Sequence, residues 1–334
     1  MSKIIFNVLI VGAGDIGAGY DTPNSNFYLS HAHAFKDHPG FQLIGFIEPN
    51  KSNAALASEK WGVDCFKSLD HAYDNFKIDV VSIAVPDEFH YSTLKEIVKY
   101  KPKFVLAEKP LTQTISQAIE IINLYREIPC IVNFKRRFTP EIIALKEKIV
   151  NNYFGEFRFG TSYYGKGFNH NGSHLINLLL YFLDINWDSF EKIDSILDYK
   201  SNDPSLSILL KSSEKNCSFL IKSLDQNDFT VFDFDMIFSR GKIRITDLGN
   251  KIEEYQVEKN DVFNAFLTLK LKKSYETKLN KSLIYLVDDI YGFLTEKKPF
   301  SCNLDEVFDE MKFNNKIINS IKNGKISNTR RKFN

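Results

Sequence analysis

Three groups of residues in this chain of 334 amino acids have types and spacings that suit chemistry. The first is Gly12-Ala13-Gly14-Asp15-Ile16-Gly17, straight after the apolar run at residues 4–11. Glycines at such a turn let main-chain N–H groups approach a pyrophosphate, because a side chain would block both the backbone angles and the approach. The second is Glu108-Lys109-Pro110, after the apolar stretch at 104–107. A lysine at the carboxyl end of a parallel strand points into the crevice where such sheets bind ligands, and Pro110 fixes the local turn. The third is His170-Asn171-Gly172-Ser173-His174-Leu175-Ile176-Asn177. A helix beginning near Ser173 puts His174, Asn177 and Tyr181 within about 60° of one another, at 100° per residue. The intervening Leu175, Ile176, Leu178, Leu179, Leu180 and Phe182 are apolar. A polar stripe on such a helix is costly unless its groups meet partners or a ligand. A helix N-terminus also disfavours imidazolium, which would keep His174 available as a base near neutral pH.

Glu48 strengthens the glycine turn. It ends the next apolar run, at 41–47, where a carboxylate can accept from both hydroxyls of an adenosine ribose and repel a 2′-phosphate. The expected cofactor is therefore NAD, with NADP disfavoured. Residues 19–26, Gly-Tyr-Asp-Thr-Pro-Asn-Ser-Asn, form an insert that lengthens the glycine-to-acid spacing beyond the usual ~20 residues. The insert either closes over cofactor or substrate or is a surface bulge. Lys166, between Gly165 and Gly167, can approach a carboxylate or phosphate, or can be the solvated lysine of a hairpin turn. Arg136 and Arg137 either bind an acidic substrate or form an interdomain ion pair.

The elements that must position these residues change character along the chain. Short apolar strands at 4–11, 41–47, 80–85, 104–107 and 130–133 alternate with helical stretches at 52–61, 88–99 and 115–126. This pattern predicts right-handed βαβ units and a doubly wound parallel sheet, with Asp87 as N-cap of one crossover helix. After Arg137 come a helix at 140–150, alternating runs at 157–164, 205–210 and 229–245, and helices at 282–296 and 304–322. Alternation predicts a mainly antiparallel sheet with one wet face. The expected architecture is α/β: a dinucleotide-binding Rossmann domain at 1–133, then an α+β domain with a mainly antiparallel open sheet at 134–334. The basic tail Arg330, Arg331 and Lys332 reads as a solvated end.

Composition excludes several classes. Forty-three basic and 42 acidic side chains leave a formal charge of +1, so neither nucleic acid nor a membrane surface is an expected partner. The four cysteines show no CxxC spacing, so neither a zinc site nor a disulfide framework is expected, and no His/Cys/Asp cluster suggests another metal. An N-terminal apolar run of about eight residues is too short to span a bilayer and lacks a cleavage-type tail. The expectation is a soluble protein of the cytoplasm.

Taken together, the glycine turn, Ala84-Val85-Pro86, Glu108-Lys109-Pro110 and residues 133–138 (Asn-Phe-Lys-Arg-Arg-Phe) resemble the glucose-fructose oxidoreductase/inositol dehydrogenase (Gfo/Idh/MocA) family. The resemblance extends over nearly the whole chain, including a closing helix followed by Asn323-Gly324-Lys325. It implies a cofactor site of Gly12, Gly14, Asp15, Ile16, Gly17, Glu48, Pro86, His90, Glu108 and Lys109. It implies a substrate site of Lys109, Arg137, Lys166, His170, Asn171 and His174, with Lys109 and His174 catalytic. The family's D-x-G-x-H-x-x-D is matched at Gly172 and His174 but not at its acids, where His170 and Asn177 stand.

The implied reaction is reversible hydride transfer between nicotinamide and a secondary alcohol or ketone of a sugar, cyclitol or nucleotide-linked sugar. His174 would move the hydroxyl proton and Lys109 would polarise the oxygen. The Lys-Gly…Asn-Gly-Ser-His form of the loop is similar to that of members that build bacterial surface sugars. A homodimer or homotetramer through the C-terminal sheet is implied as well. Two other readings remain open: an NAD-dependent glycoside hydrolase without net redox change, or a non-catalytic sensor of dinucleotide or sugar marked by the altered acids.

Overall fold

Apolar runs without polar alternation can be buried on both faces, and the first half of the chain uses them in this way. In the computed structural model, which describes residues 4–323, strands β1 (Phe6–Val11), β2 (Phe41–Ile47), β3 (Asp64–Phe66), β4 (Val80–Ile83), β5 (Phe104–Ala107) and β6 (Cys130–Val132) form one sheet. Its order is β3-β2-β1-β4-β5-β6 and every pair is parallel. All residues of β4 and β5 are buried. The crossovers are α1 (His31–Asp37), α2 (Lys51–Trp61), α3 (Leu69–Asn75), α4 (His90–Ile97) and α5 (Ile115–Leu124).

Side chains cap most of these helices: Ser30 accepts from His33 N, Asn50 from Ser52 N and Asn53 N, and Thr114 from Gln117 N. Asp87 does not cap α4, contrary to expectation. Residues Asp87–Phe89 form a 3-10 turn closed through the main chain, with Phe89 N donating to Pro86 O at 2.9 Å, and α4 starts at His90. Strand β3 has only three residues, of which only Phe66 is buried, so it has no periodicity to read.

Contacts divide the chain into two units. The first comprises the residues up to Asn151 together with Tyr275–Asp309. A single cut after residue 133 does not describe this division. Helices α6 (Pro140–Val150) and, beyond the second unit, α8 (Ser282–Glu296) belong to the first. The returning segment is fastened to β6: Val132 N donates to Cys302 O at 2.9 Å, and Ile131 bridges Asn303.

The second unit comprises Asn152–Ser274 and the chain from Glu310. Its strands are β7 (Phe157–Tyr164), β8 (Ser189–Lys200), β9 (Asp203–Ser212), β10 (Cys217–Ser223), β11 (Phe232–Phe238), β12 (Gly241–Thr246), β13 (Lys251–Lys259) and β14 (Leu267–Glu276). The order is β14-β13-β12-β11-β7-β10-β9-β8. Pairing is antiparallel from β13 to β7 and from β10 to β8, but β7 and β10 run parallel. The alternating run at 229–245 is two strands, β11 and β12. Side chains of β10, β11 and β12 alternate between buried and half-buried, as expected for a sheet with one covered face. Helix α7 (Ser173–Phe182) buries Leu175, Ile176, Leu178, Leu179 and Phe182. Helix α9 (Leu304–Asn323) closes the described chain, and Gly324, Lys325 and the tail at Arg330, Arg331 and Lys332 lie outside the described residues.

Among the described residues, no helix is long and apolar enough to cross a membrane, and no group of three or more His, Cys, Asp or Glu is arranged to hold a metal. All four cysteines are free.

Candidate active site

The chain leaves β1 through Gly12, whose φ of +97° and contact with the Ala84 carbonyl leave no room for a Cβ. Gly14 is different, since a Cβ added there would meet no atom within 4 Å. The turn is therefore tight behind and open in front. It continues as a π-helical turn, Asp15–Gly19, on which Asp15 is exposed, Ile16 half-buried and Gly17 buried.

Glu48, half-buried at the end of β2, accepts from Ala13 N at 2.8 Å through Oε2 and from Asn50 N at 2.9 Å through Oε1. Each carboxylate oxygen accepts more than one hydrogen bond, so Glu48 can hold the glycine turn and still receive hydroxyl groups. The open turn beside this carboxylate fits the diphosphate and ribose of a dinucleotide.

The insert is pinned within the first unit. Asp21 is buried and accepts from Leu29 N at 2.6 Å, Ser30 N at 3.2 Å and the Ser30 hydroxyl, with His33 Nδ1 3.0 Å away. Lys60 Nζ donates to the carbonyls of Ala18, Gly19 and Asp21, and Trp61 Nε1 to Ala18 at 3.0 Å. Helix α2 thus holds the far end of the glycine turn, a role that sequence reading missed.

At the end of β5 the half-buried Lys109 lies between two anchored neighbours. Glu108 Oε1 is 2.9 Å from His31 Nε2 and accepts from Asn133 Nδ2 at 2.5 Å, while Oε2 accepts from Lys109 N at 3.3 Å. Burial alone would push this carboxyl up. The hydrogen bond and charge of His31, with Asn133 and Lys109, outweigh burial and hold it below the usual carboxylate range. His90, also buried, has Nδ1 2.5 Å from Pro110 O and Nε2 3.0 Å from Val85 O. The Lys109–Pro110 bond is cis. The polar atoms of Glu108 and His90, both expected at the cofactor, are thus engaged by the protein, whereas Pro86 is exposed.

Beyond β6, Lys135 is half-buried, and burial, reinforced by Arg136 and Lys109 and opposed by Glu108, lowers its ammonium to about 8. Sequence reading missed this lysine, because position alone does not reveal desolvation. Arg137 meets Glu306, which lies in the same unit, so that pair is not interdomain.

In the second unit, two carboxylates shape the loop at 165–172. Asp198 Oδ2 accepts from Lys166 N at 2.7 Å, and Ser205 Oγ from Gly167 N at 2.8 Å. Buried Asp203 accepts from Asn169 N at 2.8 Å and His170 N at 3.0 Å. The His170 ring stacks on Tyr199 with centroids 4.8 Å apart, and Lys166 Nζ lies 5.8 Å from the same ring. The loop therefore brings Lys166 and His170 together around Tyr199, which sequence reading also missed.

Asn171 is half-buried on the π-helical turn Gly167–Gly172, and that turn runs directly into α7 at Ser173. His174 is half-buried and Asn177 buried. The helical backbone begins one turn earlier than expected, and its leading amides are already taken by Asp198, Ser205 and Asp203.

A profile of the "Oxidoreductase family, NAD-binding Rossmann fold" matches residues 6–135. Over 123 residues the chain is 35% identical to an inositol 2-dehydrogenase from Leifsonia xyli subsp. xyli, covering 36% of this chain and 36% of that protein. The chain thus spans about a third of the length of that curated relative. Two solved structures share the fold almost end to end. One is an oxidoreductase from Agrobacterium radiobacter in complex with NAD+, L-tartaric acid and magnesium (TM-score 0.71, 15% identity, 96% of this chain and 97% of that one). The other is a 3-ketoreductase from Actinomadura kijaniata in complex with TDP-benzene and NADP (TM-score 0.72, 13% identity, 94% and 97%). The two carry different dinucleotides.

Proposed function

We propose, from the match of residues 6–135 to the NAD-binding Rossmann-fold oxidoreductase family, that the chain is a Gfo/Idh/MocA-type, NAD-dependent oxidoreductase. Its substrate is a sugar, cyclitol or nucleotide-linked sugar, oxidised or reduced at a secondary carbinol carbon. The observation that supports this reading best is the Glu48 carboxylate bonded to Ala13 N, an acid of the kind that suits a ribose diol, beside an open glycine turn. The inositol 2-dehydrogenase relative supports the polyol class.

The dinucleotide, when bound, supplies the hydride acceptor or donor. Gly12, Gly14, Asp15, Ile16 and Gly17 would carry its diphosphate on main-chain amides, with Glu48 on the ribose diol and Pro86 lining the site. His90 and Glu108 act on it through the turns they hold. Lys109 presents a cation to the carbinol oxygen, which lowers the cost of negative charge there. His174 takes or returns the hydroxyl proton. Lys166, His170 and Asn171 contact the rest of the substrate, and Arg137, held by Glu306, shapes the turn beside Lys135.

The reading extends to a cytoplasmic homodimer or homotetramer assembled through the second unit's sheet. Its outer strands expose Ile193 and Leu197 on β8 and Leu267, Leu269 and Leu271 on β14, surface of the kind that self-association covers. Service in surface-sugar synthesis is the finest part of the reading and rests on the loop at 165–174 alone.

The test is to incubate the purified protein with NAD and a panel of cyclitols and glycosides, following NADH and free sugar together. NADH formation with at least one polyol is expected. Sugar release without NADH would identify a hydrolase, and tight NAD binding without turnover on any member would identify a sensor.

A further inference from the structure

The turn that carries Lys109 is gripped on both sides by buried imidazoles. His31, in the first turn of α1, is fully buried, with Nδ1 2.6 Å from Ser82 Oγ on β4 and Nε2 2.9 Å from Glu108 Oε1. A carboxylate only accepts, so Nε2 is the donor in that contact. Ser82, His31 and Glu108 follow the hydroxyl–imidazole–carboxylate order of a nucleophilic triad. Ser82 is fully buried, however, so its hydroxyl is out of a substrate's reach. What the chain of contacts fixes is therefore Glu108, whose carboxylate is also held by Asn133 and by Lys109 N. On the other side, His90 reaches Pro110 O through Nδ1 and Val85 O through Nε2; both carbonyls only accept, so a neutral ring donates to one of them and only a ring protonated on both nitrogens ties the turn after β5 to the loop after β4.

We propose that His31 and His90 are positioning residues for Lys109, His31 through the Glu108 carboxylate and His90 through the Pro110 carbonyl. A lysine side chain has a flexible four-carbon stem and loses much freedom when ordered. Anchoring the residues on both sides of it fixes where that stem starts, and donors at a reacting atom must be held to within about 0.5 Å. The proposal rests on the reading of Lys109 as the group at the reacting oxygen.

Amide substitutions separate positioning from packing, because glutamine can keep a donor at the Nε2 position of histidine and asparagine one at Nδ1. His31→Gln keeps the bond to Glu108 and His31→Asn loses it. For His90 the pattern reverses, since His90→Asn keeps the Pro110 bond and His90→Gln keeps only the Val85 bond. The expected result is a kcat lowered about 10-fold or more in His31→Asn and His90→Gln and within about 3-fold of the parent in the other two. KM for the polyol should stay within about 3-fold throughout, as should affinity for NAD in the two His31 variants. Equal losses within each pair, or losses that track melting temperature, would overturn the proposal.

A second readout does not need turnover. Hydrogen exchange of the Lys109 amide, measured by mass spectrometry on the apo protein, should be faster in His31→Asn than in His31→Gln. If exchange follows that pattern but no polyol is oxidised, the positioning role stands and the redox reading fails. If polyols are oxidised while kcat and exchange both ignore the pattern, the positioning role fails.

Discussion

The Glu48 carboxylate accepts the main-chain N–H of Ala13 at 2.8 Å, which ties the acid at the end of β2 to the glycine turn at the end of β1. One side chain therefore sets the shape of the turn and carries the charge that a 2′-phosphate would meet. These two tasks separate experimentally.

Glu48→Gln keeps an oxygen for Ala13 but removes the charge, whereas Glu48→Ser removes both. Fluorescence titration of the parent should give tighter binding of NAD than of NADP. Glu48→Gln should narrow the gap mainly by improving NADP, and Glu48→Ser should weaken NAD as well, by about 10-fold, the worth of one charge-assisted bond. A parent that prefers NADP would end the ribose assignment.

Lys109→Met keeps much of the stem's bulk and removes the cation. Turnover should fall about 100-fold or more while NAD affinity stays within a few fold, because a preorganised donor matters most in the transition state. Normal turnover in this variant would take Lys109 out of the mechanism.

His174→Asn should leave folding and NAD binding intact, depress turnover at neutral pH and erase the lower limb of the pH-rate profile. If the limb survives, His170 is the next residue to change, because it stands on the turn that runs directly into α7 and is held through its amide by Asp203. Loss of the limb in His170→Asn alone would move the proton to that histidine.

Lys135 should cost stability near neutral pH. Its ammonium is lowered from 10.5 to about 8 in the folded chain. Between those values the unfolded chain holds a proton that the folded chain has released, so stability from this group rises with pH across that window. Below it both states are charged, and the folded state carries the full desolvation penalty. Lys135→Met should therefore raise the melting temperature at pH 7, with a gain that shrinks as pH climbs from about 8 toward 10.5. A gain independent of pH would mean that packing, and not charge, is responsible.

What the sequence determined by itself is what short-range physics controls. Strands β1, β2 and β5 lie where the apolar runs lie, because a run of that kind is stable only between two covering layers. The glycine turn follows β1 because Gly12 can adopt the positive φ that the turn requires. Helix α7 starts at Ser173, as its apolar spacing requires. Tertiary structure decided everything that depends on which chain ends become neighbours. His31 and Glu108 are 77 residues apart and meet because β1, β4 and β5 are adjacent in the sheet. Arg137 and Glu306 are 169 residues apart and pair because the chain returns to β6 after completing a second unit. The backbone capping of Asp87's turn, the carboxylates that take the amides ahead of α7 and the lowered ammonium of Lys135 are of the same kind. Each depends on burial or on partners distant in sequence, and neither residue type nor spacing encodes how much water a folded neighbourhood removes.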